Sequence, residues 1–494
     1  MKHYDVIIAG SGLGGLECGY ILSKKGYNVC ILEKNHQLGG CLQTFRRGKI
    51  EFDTGFHFVG GLDEGQFLHR LFRYYDLLDL PWQRLDDDGF AEVVTQGKSY
   101  LLASGYDNFA DKLSAEFPHQ QRQLQRYVSF LKEVGNNIDN TLQGINQEAE
   151  TASSSLFQQS AYHFLLQTID DPVLRNVLSG VSLTMELNAE KLPLYTFAQI
   201  NSSFIQSSWR LNGGGSLIAD KLTESIRRMG GTVLTRAEVT RFIENEGKIT
   251  AVEINREEQF SADYFISDLH PALTLSLIPD SKAIRRIYKN RITRLDNTFG
   301  MFTTHLQLRE SSIPYLNRNL FVYEKDNVWN NSYIPGARMS SALISYRTPA
   351  DGSEFTRNID ILTPMHWEEV AQWSDTHIEN RGEEYKTFKQ QKAEECIMFA
   401  EKKVPGLSQA VERVYTSSPL TYRDYTGTWE GSAYGIRKDC NDIMMTLLTS
   451  HTPVQNLLLT GQNLNLHGIM GVSITSLFTC AGIMGMDEIK KNII

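Results

Sequence analysis

The sequence predicts an α/β fold made of two interwoven domains, and three observations lead to it. A short β-branched run, a glycine-rich turn and an amphipathic helix open the chain; a second turn, helix and strand block spans 210–254; an apolar strand and helix close it. Long charged amphipathic stretches at 107–135 and 378–403 separate these blocks and read as a different layer. At roughly 150 residues per domain, 494 residues correspond to about three units, or two larger ones that each return to the other. Hydrophobic residues at 41% and charged residues at 22% leave room for a full core and exclude disordered, collagenous or disulfide-stapled classes.

Taken in order, residues 4–9 (YDVIIA) form a strand, GSGLGG a turn, and LECGYILSKKG a helix whose Leu16, Gly19, Tyr20 and Leu22 suit packing on a sheet. NVCILEK supplies the next strand, completing a βαβ unit. Asp171-Pro172 ahead of Val173, Leu174, Val177 and Leu178 reads as an N-cap, a first-turn proline and a helical stripe. The second block predicts a helix from about Ser216 to Met229 and strands near 232–235, 238–244 and 249–254. Ile443 to Met486 carries no Asp, Glu, Lys or Arg, yet polar residues and glycines interrupt it, so a buried strand, turn and helix fits better than a membrane span.

Net charge is −9, and no local basic patch is evident that would serve a nucleic acid or an anionic membrane against that field. The six cysteines show no ligand or redox spacing and read as reduced thiols. The opening MKHYDVIIAG has too short an apolar run for a secretory leader, so a cytoplasmic location is expected.

Gly10, Gly12 and Gly15 fit G-x-G-x-x-G between strand and helix, with Glu33 at the end of the next strand. Such glycines permit the tight turn, the close approach of backbone to a pyrophosphate, and close helix–strand packing. Phosphates then lie at a helix N-terminus, with Leu13 and Gly14 in its first turn. Glu33 would accept hydrogen bonds from a ribose, and its charge disfavours a 2′-phosphate. Glycine clusters also make ordinary turns; here strand, helix and acid agree on dinucleotide binding.

The continuation after Glu33 and Lys34 narrows the dinucleotide. E-K-x-x-x-x-G-G-x-x-x-T-F, with Gly39, Gly40, Cys41, Thr44 and Phe45, then F-D-T-G-F-H at Phe52–His57 with Thr54 and Gly55, resembles the FAD signature of the flavin amine oxidase and phytoene desaturase superfamily, and within it the retinol saturase (all-trans-retinol 13,14-reductase) branch. RLNGGGSL at 210–217 resembles the family's second glycine turn. Ala237-Glu238-Val239 resembles its adenine-contacting segment, and Thr460-Gly461-Gln462-Asn463 its C-terminal flavin motif; Gly431–Gly435 resembles a segment near the end of its substrate-side domain. The resemblance spans the chain, strongest in these FAD blocks.

It implies a Rossmann-type, GR2-like FAD-binding domain (1–75, 205–290 and 450–494) and a discontinuous α+β substrate-binding domain with a helical cap (76–204 and 291–449). It also implies FAD as cofactor and a reaction that saturates or desaturates C=C bonds of a lipophilic isoprenoid or polyene by hydride transfer at flavin N5. Cys41 stands where many members carry Arg, and Asn463 where the retinol saturase branch carries Asp. Phosphate charge would therefore be met by helix dipole and backbone N–H groups, and the ribityl contact would be neutral.

Because the flavin carries the hydride, no Ser/His/Asp or metal constellation is required, and the sequence shows none. His57 is a candidate proton donor, or a satisfied structural histidine; Cys41 reads as a small packed residue and His467 as a turn residue. The helix after Gly468 and Ile469 would present its positive end to the flavin ring edge, or simply pack. Trp209, Tyr425, Trp429 and Tyr434 would line an apolar slot or fill a core. A second nucleotide fingerprint is absent, so no NAD(P) domain is expected, and the electron partner is unnamed. A lipophilic substrate would bring loose peripheral contact with a bilayer. An amine or porphyrinogen oxidase, or a non-catalytic prenyl-group carrier on the same fold, are the rival readings; the intact glycine turn, Glu33 and Gly39-Gly40 weigh against the carrier.

Overall fold

The unbroken apolar run Val6–Ala9 ends the first strand, β1 (Lys2–Ala9), and is buried throughout, as a strand covered on both faces requires. These relations come from a computed structural model that describes residues 2–143, 154–329, 333–349, 351–378 and 380–493. β1 pairs in parallel with β2 (Val29–Leu32) on one side and with Glu258–Ser267 on the other. Thr232–Leu234 adds beyond β2, and Leu457–Leu459 adds to the far end of Glu258–Ser267, also in parallel. The first half of Glu258–Ser267 pairs instead with an antiparallel meander, Val239–Asn245 and Lys248–Ile254.

Helix α1 (Leu13–Lys24) crosses this sheet and meets helices Ser216–Arg228 and Gly468–Met484. Gly19 is what lets it approach: a Cβ there would lie 2.6 Å from Ile31 Cδ1 and 3.2 Å from Ile226 Cδ1. The apolar C-terminal block forms the expected strand, turn and helix. Among the described residues no helix is long and apolar enough to cross a membrane.

A second seven-stranded sheet takes its strands from 91–102, 300–323, 341–365 and 411–417. It is antiparallel except where Ala91–Thr95 lies parallel to Asn319–Tyr323. One face shares a core with helices Tyr106–Glu116, Gln121–Gln143, Ala161–Thr168, Pro172–Leu178 and Leu194–Gln206, and the other packs beneath Gly382–Glu401. Asp171 caps its helix as anticipated, its Oδ1 accepting from Val173 N at 2.8 Å and Leu174 N at 3.0 Å. The stretch 107–135 is two helices, broken at Phe117-Pro118. Within 378–403, residue 379 lies outside the described residues.

Two readings need correction. Glu258–Ser267, the central strand, was not anticipated, because Ser261, Asp263 and Ser267 interrupt its apolar alternation. A basic patch does exist: 282–294 holds Lys282, Arg285, Arg286, Lys289, Arg291 and Arg294 with no acid, and the net charge of −9 concealed it.

Glu17, on α1, is fully buried; its Oε1 accepts from Ser473 Oγ at 2.6 Å, and Oε2 has no partner among the described residues. Desolvation pushes its carboxyl up to about 8, against the hydroxyl donors Ser473 and Ser476. The folded chain thus holds a proton that the unfolded chain releases near its ordinary value, so this group's contribution to stability falls as pH rises from about 4.5 to about 8. Glu17→Gln removes that dependence. Thermal unfolding followed at pH 5 and pH 8 is expected to show a smaller drop in Tm for the variant than for the parent chain.

Candidate flavin and substrate site

The parallel pairing of β1 with β2 and with Glu258–Ser267 brings three chain ends to one edge: the turn after Ala9, Glu33 after Leu32, and Asp268 after Ser267. Gly10, at φ +98°, makes the turn into α1. A Cβ on Gly15 would collide with the Gly10 carbonyl, so only glycine permits helix and strand to meet there. A Cβ on Gly14 would lie 2.7 Å from Asp268 Oδ1 and 2.9 Å from the Gly461 amide nitrogen; one on Gly461 would lie 2.5 Å from the same carboxylate oxygen. Three sequence-distant peptides are thus held at main-chain distance.

They border one cavity of about 330 Å³. Of the residues singled out in the sequence, Gly12, Leu13, Gly14, Gly39, Gly40, Cys41, Thr54, Gly55, His57, Gly461, Gln462, Asn463, Gly468 and Ile469 line it. Gly10, Gly15, Glu33, Lys34 and Val239 do not. Gly10 and Gly15 act through the turn. Glu33 is buried at the end of β2, where Oε2 accepts from Ser11 Oγ at 2.6 Å and Ser11 N at 3.1 Å, and Oε1 accepts from Asn35 N at 2.8 Å. Lys34 is exposed and donates to the Asp424 carbonyl. Val239 begins its strand inside the apolar cluster behind the sheet.

Among the described residues no lysine or arginine lines the cavity. Positive potential comes instead from two helix N-termini that open onto it, at Gly12 before α1 and at His467 before Gly468–Met484; neither has a side-chain cap. The helix N-termini and glycine surfaces form a cradle that suits a diphosphate, although the Asp268 carboxylate already faces the Gly12 and Gly15 N–H groups.

Sequence reasoning missed Asp268. Its carboxylate lines the cavity beside the glycine loop, and desolvation pushes it up to about 7; the Gly15 and Gly12 N–H groups oppose that shift, while the Glu33 charge adds to it. Nothing in the pattern ISDLHP marks it, because its position follows from the strand that was also missed.

Away from the glycine loop the cavity is mostly apolar, with Thr184, Gln199 and Ser203 among its lining residues. Phe56, Phe58, Leu183, Phe204, Met301, Leu343 and Leu362 line it, with Tyr422 and Tyr434. Tyr422 donates to the Thr54 carbonyl at 2.9 Å. Of the four aromatics considered for a slot, only Tyr434 is there. Trp209 instead donates to Asp63, and Tyr425 and Trp429 are 44% and 42% exposed. His57 lines this end, its Nε2 shielded and without a partner among the described residues. Desolvation lowers its imidazole to about 4 despite Asp360, with Arg347, His305 and Arg210 adding to the shift. His467 lines the wall, 4.6 Å from the Tyr434 ring, with Nε2 bonded to the Thr184 carbonyl, and it too is held down to about 4 by burial.

The model of the family described as flavin containing amine oxidoreductase matches residues 13–362. The chain belongs to this family. Its cofactor is FAD, and it is an oxidoreductase. It is 25% identical to the all-trans-retinol 13,14-reductase of Danio rerio over 97% of this chain and 86% of that one. It is 24% identical to a chloroplastic prolycopene isomerase of an Oncidium hybrid cultivar over 88% of this chain and 75% of that one. Among solved structures, an oxidoreductase from Methanosarcina mazei superposes with TM-score 0.63 at 16% identity, covering 96% of this chain and 99% of that one. Putrescine oxidase superposes with TM-score 0.63 at 15% identity, covering 98% and 99%; these neighbours share the α/β fold.

A diphosphate beside Asp268 raises the cost of its ionised form further, so FAD binding draws a proton onto it. The expected outcome is a Kd for FAD, measured by flavin fluorescence, that weakens above about pH 7 by up to tenfold per pH unit. Asp268→Asn should bind tightly with little pH dependence between pH 6 and 9.

Proposed function

We propose that this family member is an FAD-dependent oxidoreductase that saturates or desaturates C=C bonds of a lipophilic isoprenoid or polyene. The observation that carries the reading is the apolar end of the cavity. From Phe56 to Leu362 it offers mainly ring faces and aliphatic surface, interrupted by Thr184, Gln199 and Ser203, and Asp268, the one carboxylate among the described lining residues, stands at the glycine loop. Such a slot removes a hydrocarbon from water at about 25 cal/mol per Å² of apolar surface, whereas an ammonium there would meet no carboxylate among the described lining residues of that end. The retinol reductase and prolycopene isomerase names of its relatives point to the same substrate class.

When bound, the flavin supplies hydride exchange with carbon. The chain's residues do the rest. Gly12–Gly14, Gly39-Gly40, Thr54-Gly55 and Gly461–Asn463 form the grip, while Glu33, off the cavity, holds the turn through Ser11. Both helix N-termini offset negative charge. Phe58 and Phe204, with ring centroids 4.4 Å apart, wall off water on one side of the slot. His57 stays neutral above about pH 4, so we assign it as a neutral N–H donor orienting substrate rather than as an imidazolium acid. The two-domain division given above is supported by the two sheets, whose strands fall in alternating segments of the chain. Six free cysteines fit a cytoplasmic protein.

Anaerobic stopped-flow spectroscopy tests this in both directions. Photoreduced protein mixed with a polyene alcohol, or oxidised protein mixed with the saturated analogue, should exchange electrons in one of the two arms, while primary amines leave the oxidised spectrum unchanged. Reduction by amines, with both polyene arms silent across retinoid and carotenoid compounds, contradicts the proposal.

A further inference from the structure

We infer that the helix Arg286–Thr293, with its flanking cations and the adjacent turn Ile443–Thr446, is a docking surface for a bilayer containing anionic lipid. Residues 282–294 carry six Lys or Arg and no Asp or Glu in a chain of net charge −9. Lys282, Arg285, Arg286 and Arg294 are exposed, and among the described residues none of them makes an ion pair. The acids that bracket the segment are already engaged: Asp280 pairs with Arg241, and Asp296 with Lys191 and Arg437. The cations therefore project an uncompensated positive field, worth about 1 kcal/mol each at an anionic lipid surface.

Charge alone would suit any polyanion; the apolar side chains select the bilayer. Ile287, on the same helix, is 83% exposed. Arg291 turns inward and donates to the Met444 and Met445 carbonyls at 3.0 and 3.1 Å, which fixes two further apolar side chains, 80% and 39% exposed, beside the helix. Exposed Asp442, just ahead of the methionines, subtracts one charge and leaves the balance strongly positive. Protruding apolar side chains among cations match the boundary between headgroups and acyl chains, where each half is satisfied; a duplex offers the charge but no apolar layer.

The surface is anchored to the cavity wall. Ile292, on the inner side of the helix, shares a cluster with Leu275, Ile436, Leu459 and Leu464, and Leu464 directly follows the cavity-lining Gly461–Asn463. The inference does not rest on the polyene reading, since membrane binding is measured without substrate.

Vesicle co-sedimentation of the full FAD-loaded chain tests it. Vesicles of phosphatidylcholine with about one-third phosphatidylglycerol should bind the chain, phosphatidylcholine alone much less, and added salt should release it. Arg285→Glu/Arg286→Glu/Arg294→Glu should weaken binding at least about tenfold, and Ile287→Ser/Met444→Ser should weaken it while leaving it salt-sensitive. Retained flavin absorbance and Tm show that both variants fold. Equal binding to neutral vesicles, no loss in the charge variant, or binding to duplex DNA without vesicle binding would overturn the inference.

Discussion

Everything in this fold depends on how closely three stretches of main chain approach one another at the C-terminal edge of the first sheet. The Gly14 position has no room for a side chain because the Gly461 amide and the Asp268 carboxylate already stand there. That crowding places two helix N-termini on one cavity, one from each end of the chain. In the function proposed above, the partial positive charge they offer would do the work of an arginine, and Cys41 would need only to be small.

The same dry environment governs the ionisable groups around the site. Glu17 and Asp268 are pushed toward their neutral forms, and His57, His270 and His467 are all lowered to about 4. Lys438, donating to the carbonyls of Asn463 and Thr446, is lowered to about 7. Behind His57, a buried His305–Asp360 contact at 2.7 Å and the Arg347–Asp53 pair hold charge inside the second sheet and tie it to the peptide Phe52–His57. Around the cavity itself the protein offers backbone dipoles and mostly neutral side chains, a setting in which a cofactor rather than a charged side chain carries the chemistry.

Much of this was legible because it rests on local rules. The glycine turn, the acid after β2 and the Asp171-Pro172 start each follow from what a backbone needs within a few residues. The remainder depends on contacts between distant residues. Glu258–Ser267 owes its central place to pairing with β1 rather than to its own alternation, and Asp268 inherits its position from that strand. Leu343 and Leu362 meet in the slot because their strands pair in the second sheet, which no local pattern announces. Trp209, Tyr425 and Trp429 were plausible slot aromatics by composition alone, and the backbone turned them elsewhere. The basic run 282–294 was readable all along, but a summed charge averages away a local field.

The most direct test of the central claim is FAD binding by a Gly14→Val chain alongside the parent, each purified, incubated with FAD and passed over a desalting column. The parent should retain about one flavin per chain. The variant, with its added side chain driven into Asp268 and the Gly461 amide, should lose flavin while keeping its secondary structure by circular dichroism. Full flavin retention by the variant would show that these three peptides do not form the grip described here.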